Sequence, residues 1–355
     1  MDIVFNPPLN EENRYIGLLV QELQARGYRI HPLDTIFSSY RHFKSIKLIH
    51  LNWFENIDDS NFFVGLRSFL RKLVVLTAVR LSGKRLVWTM HNRVSHEKGL
   101  AFFSRGITRL LMCWSHRIVI HTEQSEAILA EYGAAIRQKA VYVPHPHFIG
   151  VYGKPHTATH RHPGRLQLLF MGMVKPYKNL ELLIDTAAGF GDRVQLTIAG
   201  KAIDDHYLRQ VTARSRQAGN VTLLPGFVPD SAIAALLAAA DAVVLPYDLS
   251  SSLNSGTVIL AFSYGRTVIC PEIGTISDLG EQLADTFHYR YADVEGHREA
   301  LEEQIGQALA LKRADPAALE NKGKRLYDCV AAGHDPHRAG TALDQVYRGL
   351  LEQKK

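Results

Sequence analysis

Five apolar stretches in the first half of the sequence end in side chains that can hydrogen-bond or take up a proton. Asn6-Pro7-Pro8 leads to Asn13. His50 is followed by Asn52 and Glu55. Thr89-Met90-His91-Asn92 runs on to Glu97, and His121 and His145 close two further runs. Each run reads as a strand, and in open parallel sheets ligand-binding groups gather at the carboxyl ends of strands. One such histidine is an ordinary structural residue. Four at one sheet edge suit a site that hydrogen-bonds a polyhydroxylated ligand. A neutral imidazole at His91, or a partly desolvated carboxylate at Glu97, can serve as a general base near neutral pH. Asn13 also fits a plain helix N-cap, and His121 and His145 also fit structural roles.

The second half offers different chemistry. An apolar run ends in Gly172, followed by Lys175 and Lys178 at the start of a helical pattern. A glycine turn, two ammonium groups and a helix N-terminus make a plausible anion site. Further on, Leu245-Pro246-Tyr247-Asp248 leads into a polar loop containing Ser252, Asn254, Ser255, Gly256 and Thr257, and then into an apolar helix. Such a loop can cradle a diphosphate through hydroxyl and backbone N–H donors; an ordinary N-cap would need only one of these residues. No Walker A loop and no G-x-G-x-x-G fingerprint occurs, which argues against a P-loop enzyme and a dehydrogenase. There is no D-x-D triplet, C-x-x-C or H-E-x-x-H, so no metal is expected.

These groups need elements to hold them. The 355 residues suit about two domains. Short apolar runs alternate with helical patterns from the N-terminus to about residue 147, and the alternation restarts at Arg165. The expected class is α/β, with two doubly wound, Rossmann-like domains facing a cleft. The expected boundaries are 1–155, 156–334 and a last helix over 335–355. The join, 148–165, is rich in Gly, Pro, Thr and His. Residues 1–160 hold 20 basic and 12 acidic side chains, and 61–117 hold 11 basic residues against Glu97 alone. That stretch includes a pattern placing Phe62, Phe63, Leu66, Phe69, Leu70 and Leu73 on one side, with Arg67, Arg71 and Lys72 nearby. A basic amphipathic helix suits an anionic membrane surface; a core-facing helix with solvated cations is the alternative. Nucleic acid is not an expected partner, since neither RNP1 nor a zinc finger is present. No apolar run reaches the ~18 residues of a spanning helix, and no secretory signal is visible. Cys113, Cys270 and Cys329 read as reduced, which points to the cytoplasm.

The ordered motifs resemble the glycosyltransferases of the two-domain GT-B fold, in the broad group that includes family 4. LLFMGMVKPYKN looks like the family's F-x-G-R-x-x-x-x-K, with Lys178 at the phosphate-contacting lysine and Met173 where the arginine stands. VTLLPGFVPDSAIAALLAAADAVVLPY looks like the nucleobase segment, where Gly226, Phe227 and Val228 would line the base. WTMHNRVSHE and HLNWFE resemble first-domain segments of bacterial members acting on surface polysaccharides. Many retaining members carry an E-x7-E pair, which here falls on Ser252 and Leu260, and residues 249–271 contain no acid.

The resemblance implies a transferase moving a sugar from a nucleotide diphosphate, with GDP-mannose the first guess, to a lipid-linked saccharide. The missing pair points to inversion, similar to exopolysaccharide β-mannosyltransferases. Lys178, Lys175 and the Ser252–Thr257 loop would hold the diphosphate without a metal or another cofactor, beside Gly172 and Tyr247. Glu97 or His91 would be the base. Asn13, His50, Asn52, Glu55, His121 and His145 would line the acceptor side. The protein would rest on the inner face of the cytoplasmic membrane, its C-terminal helix packed back on the first domain. A retaining enzyme using a UDP-sugar and a catalytically degenerate sugar-nucleotide-binding protein are the alternatives.

Overall fold

The computed structural model describes residues 1–10, 13–57, 61–93, 101–154 and 164–352. Glu97 lies outside them, as do residues 155–163 of the expected linker. The described chain divides into two compact units, residues 1–146 with 334–355, and residues 147–333.

The first unit is built from β1 (Asp2–Asn6), α1 (Arg14–Ala25), β2 (Arg29–His31), α2 (Tyr40–Ser45), β3 (Leu48–Asn52), α3 (Phe62–Leu81), β4 (Arg85–Thr89), α4 (Ala101–Trp114), β5 (Arg117–Ile120), α5 (Glu123–Glu131), α6 (Ala134–Arg137) and β6 (Ala140–Tyr142). The second contains β7 (Leu166–Met171), α7 (Leu180–Gly189), β8 (Val194–Gly200), α8 (Asp205–Ala218), β9 (Val221–Pro225), α9 (Asp230–Ala239), β10 (Ala242–Val244), α10 (Gly256–Ser263), β11 (Thr267–Pro271), α11 (Gly274–Ser277), β12 (Phe287–Tyr289), α12 (Val294–Ala314) and α13 (Ala318–Gly333). The final helix, α14 (Pro336–Glu352), belongs to the first unit.

Both sheets are parallel, with strand orders β2-β1-β3-β4-β5-β6 and β12-β11-β10-β7-β8-β9. Central strands such as β3 and β11 are buried along their whole length. That is why they read as continuous apolar runs: helices cover both faces of such a sheet. Each sheet grows first in one direction from its starting strand and then in the other. The reversals fall between β1 and β3 and between β7 and β10.

α14 completes the first unit. Its apolar stripe, Ala339, Leu343, Tyr347 and Leu350, is buried, and it packs on α1. A Cβ at Gly340 would stand 2.5 Å from Glu22 Cβ, so only glycine permits this approach. Arg26 donates to His337 O and Thr341 Oγ1, and Tyr28 Oη donates to Asp344 Oδ1. Deeper in, His50 bridges Tyr347 Oη on α14 and Thr89 Oγ1 on β4. The second unit has its own buried tie. Lys312 of α12 donates to Asp241 Oδ2 and to Arg165 O, while Asp241 Oδ2 also accepts from Gln167 N.

Two substitutions measure these ties in urea unfolding. Tyr347→Phe strands a buried imidazole nitrogen and should cost about 1–3 kcal/mol. Lys312→Met leaves the Asp241 carboxylate buried without its cation and should cost about 3–5 kcal/mol. Unchanged midpoints would refute the assignment.

Candidate functional site

In the first unit the polar groups converge where the sheet reverses. Asn52, at the end of β3, donates through Nδ2 to Asn6 O at the end of β1 (3.3 Å). Its Oδ1 therefore faces His91, whose Nε2 lies 3.0 Å away and donates. This leaves Nδ1 as the basic nitrogen of His91. Trp53 holds a left-handed backbone (φ +50°), and its ring stacks on His91 with centroids 4.1 Å apart. Tyr15 projects from the first turn of α1 and is ringed by Trp53, His91, His121 and His145. His121 Nδ1 donates to Val143 O, so its Nε2 accepts from Tyr15 Oη (2.9 Å). His145 Nδ1 donates to Pro146 O.

Burial holds these imidazoles neutral. It pushes His121 down to about 4 and His91 and His145 well below the ordinary range, and neighbouring histidines add to the shift at all three. The cluster is thus a set of uncharged donors and acceptors at physiological pH, the chemistry that suits sugar hydroxyls.

Three of the expected acceptor-side residues are occupied elsewhere. Asn13 caps α1, its Oδ1 accepting from Tyr15 N (3.0 Å). His50 sits within β3 with both nitrogens engaged and is pushed down to about 3 by burial. Glu55 accepts the Trp88 indole N–H (3.0 Å), and burial raises its carboxyl. Asn52, His91, His121 and His145 do come together. Tyr15 and Trp53 join them, and nothing in the pattern of strand endings marks an aromatic residue in a helix or a turn.

The second unit repeats the logic with positive charge. Gly172 (φ +136°) follows β7, and Thr257 Oγ1 lies 4.0 Å from where a Cβ of Gly172 would be. The Gly172 turn therefore faces the first turn of α10. Ser255 caps that helix, its Oγ accepting from Val258 N and meeting Tyr247 Oη at 3.0 Å. Lys178 Nζ stands 4.0 Å from the centroid of the Tyr247 ring and 5.1 Å from that of Tyr177. Burial lowers it to about 7, with the Lys175 charge adding to the shift. Lys175 itself opens the short turn that carries Lys178. Asn179, in a left-handed conformation, donates to Pro246 O and so ties this turn to the chain beyond β10. Ser252 is buried in the loop and Asn254 is half-buried. Phe227 and Val228 follow β9, Phe227 exposed.

Two residues that no motif indicated hold the loop before α10. Tyr291 Oη donates to Tyr247 O and accepts from Leu249 N, and its ring stacks on His297 at 3.9 Å. Thr275 Oγ1 accepts from Ser255 N. Among the described residues no cluster of three or more His, Cys, Asp or Glu could hold a metal ion.

Residues 165–310 match the family model for glycosyl transferases group 1. That similarity lies wholly within the second unit. The chain is 26% identical over 223 residues to a GDP-mannose:glycolipid 4-beta-D-mannosyltransferase of Xanthomonas campestris pv. campestris. The match takes in 61% of this chain and 59% of the relative, so it spans less than two thirds of that protein. Sucrose-phosphate synthase from Thermosynechococcus elongatus superposes with a TM-score of 0.76 at 17% identity, over 100% of both chains. Anabaena HepE in complex with UDP and glucose gives 0.68 at 14% identity, over 98% of this chain and 100% of the other. The fold is GT-B, and the stretch that matches the group 1 model belongs to its second unit.

Two outcomes follow from this geometry. Tyr291→Phe should loosen the loop and weaken nucleoside diphosphate binding about threefold to tenfold, with little change in the melting midpoint. Calorimetry and thermal unfolding on the same sample read both. The unfolded His121 imidazole takes a proton below about 6.5, the folded one only below about 4. Its contribution to stability is therefore complete above pH 6.5 and lost as pH falls towards 4. Urea midpoints at pH 7.5, 5.5 and 4.5 should fall in that order, less steeply in His121→Gln.

Proposed function

We propose that the chain is a glycosyltransferase that moves a sugar from a nucleotide diphosphate donor, first of all mannose from GDP-mannose, to a lipid-linked saccharide in bacterial surface polysaccharide assembly. The observation that carries it is Lys178, held over Tyr247 beside the N-terminus of α10 inside the stretch that matches the group 1 model. The GDP-mannose and glycolipid readings rest on the name of the Xanthomonas relative.

As the glycosidic bond breaks, the bonding electrons stay on the leaving phosphate oxygen. Fixed N–H donors of α10 and the ammonium groups of Lys178 and Lys175 are charges of the right sign to stabilise it, so a metal need not take part. No carboxylate exists between residues 249 and 271 to act on the donor sugar, which favours direct inversion. The acceptor hydroxyl then loses its proton to a base of the first unit. His91 Nδ1 is one such base and Glu97 the other. A retaining reaction with a UDP-sugar is the second reading, favoured by the UDP held by Anabaena HepE.

The lipid part of the acceptor implies contact with a membrane. No described helix is long and apolar enough to cross one. α3 nevertheless buries only Gly65, Leu76 and Val79 among its 20 residues. Phe63, Leu70, Val74 and Leu81 stay exposed along one stripe, with Arg67 and Arg71 beside it. Such a helix suits the surface of an anionic leaflet, and the proposed location is peripheral, on the cytoplasmic face.

Titration with GDP, UDP, ADP and dTDP, with and without EDTA, tests the donor reading. Selective, EDTA-resistant binding lost in Lys178→Ala is expected; no binding to any of them would leave a degenerate scaffold. Binding should weaken as pH rises above about 7, because the anion needs the protonated lysine. A flat profile between pH 6.5 and 9 would exclude Lys178 as the phosphate ligand. Sedimentation with vesicles should show binding to anionic but not neutral lipid, lost in Phe63→Glu/Leu70→Glu.

A further inference from the structure

A groove of about 540 Å³ lies in the first unit, beside α3 and the turn that follows β2. Val74 and Val75 of α3 line it together with Leu33 and Phe37 of the turn, and Trp53 and Phe54 complete its apolar surface. Leu33 and Phe54 belong to the core and form the floor of the groove, whereas Phe37 (54% exposed) and Val74 (64% exposed) present open carbon surface. A concave surface of this size lined mainly by apolar side chains has the character of a ligand site.

Asp34 of the turn lines the groove with one negative charge, and α3 supplies two cations. Lys72 Nζ donates to the carbonyls of Phe54 and Asn56, which fixes an ammonium group in the groove wall. Arg71 also lines the groove and donates to Asp34 Oδ1 at 2.9 Å, both side chains largely in solvent. An exposed pair of this kind is weakly held. An anion carrying more than one charge can therefore take the guanidinium from Asp34. Trp53, which lines the same groove, is held by its left-handed backbone with its ring against His91. Trp53 is thus shared between the groove and the histidine cluster.

We propose that this groove binds the prenyl-diphosphate part of the lipid-linked acceptor. The isoprenoid carbons next to the diphosphate lie against Phe37, Val74 and Val75, and the diphosphate meets Arg71 and Lys72. The attached saccharide is then directed towards Trp53 and His91. The inference rests on the lipid-acceptor reading above and gives that acceptor a place. A free phosphate would use the cations and waste the apolar walls, and a neutral lipid chain would do the reverse.

The test is calorimetric titration of the whole chain with farnesyl diphosphate below its micelle concentration, with farnesol, and with inorganic pyrophosphate. Farnesyl diphosphate should bind about tenfold or more tightly than either of the others. Phe37→Glu and Arg71→Glu should each weaken it about tenfold, while nucleoside diphosphate binding by the same samples stays unchanged, which excludes misfolding. Equal binding of pyrophosphate would reduce the groove to an anion site and overturn the proposal. So would absent farnesyl diphosphate binding, or binding that neither substitution affects. If nucleoside diphosphates still bind in those cases, only the groove assignment falls. If they do not bind the unsubstituted protein either, the transferase reading falls with it.

Discussion

A parallel sheet that reverses its direction of growth must send two adjacent strands to helices on opposite faces. Between their carboxyl ends a crevice opens that no helix fills. Everything chemical in this chain depends on that constraint, applied twice. In the first unit it parts β1 from β3, and the Asn52 amide reaches across to Asn6 O. In the second it parts β7 from β10, and the Asn179 amide ties the turn beyond β7 to Pro246 O. An asparagine spans each reversal, and around it stand the residues that can hold a ligand.

The two crevices differ in electrostatic character because they are furnished differently. The first holds imidazoles packed against aromatic rings and kept neutral by burial, so its recognition works through directed hydrogen bonds. The second holds an ammonium group on the face of Tyr247 and the open end of a helix, so its recognition works through charge. A transfer reaction needs both kinds of surface: a neutral one where a hydroxyl loses its proton, and a positive one where phosphate gains charge. His121, His145, Asn52 and Asn179 are each anchored to a backbone carbonyl, which limits rearrangement of the two crevices when charge appears.

The fold was legible in the sequence because both sheets are covered on two faces. Runs such as RIVI and TVIC show as short, mainly apolar stretches, and their alternation with helical periods gives the doubly wound class. Lys178, Ser255 and Gly172 were legible for a related reason: glycine turns and hydroxyl caps leave local signatures. The histidines were harder to sort. His50 and His121 look alike in sequence, since each sits in or just after an apolar run. Only tertiary pairing separates them, because His50 meets Tyr347, almost 300 positions away in the chain. Tyr15, Trp53 and Tyr291 were not legible at all. Their parts depend on a helix start, a left-handed turn and a hydrogen bond from Tyr291 to Tyr247 O across 44 positions, none of which leaves a local pattern. Asn13 carried both readings, and the capping one describes its observed contact.

The placement of α14 has a consequence for the order in which the chain acquires structure during synthesis. The second unit is one continuous segment and can close once residue 333 has left the ribosome. The first unit begins earlier and finishes later, because the groove over α1 and the inner face of His50 wait for Tyr347. Throughout translation of the second unit the first therefore stands open, with an apolar seam beside α1 and an unsatisfied imidazole within its sheet. An incomplete chain would carry that seam permanently, the kind of surface that quality-control machinery recognises. α14 thus closes the first unit only after the strands of both sheets have been made.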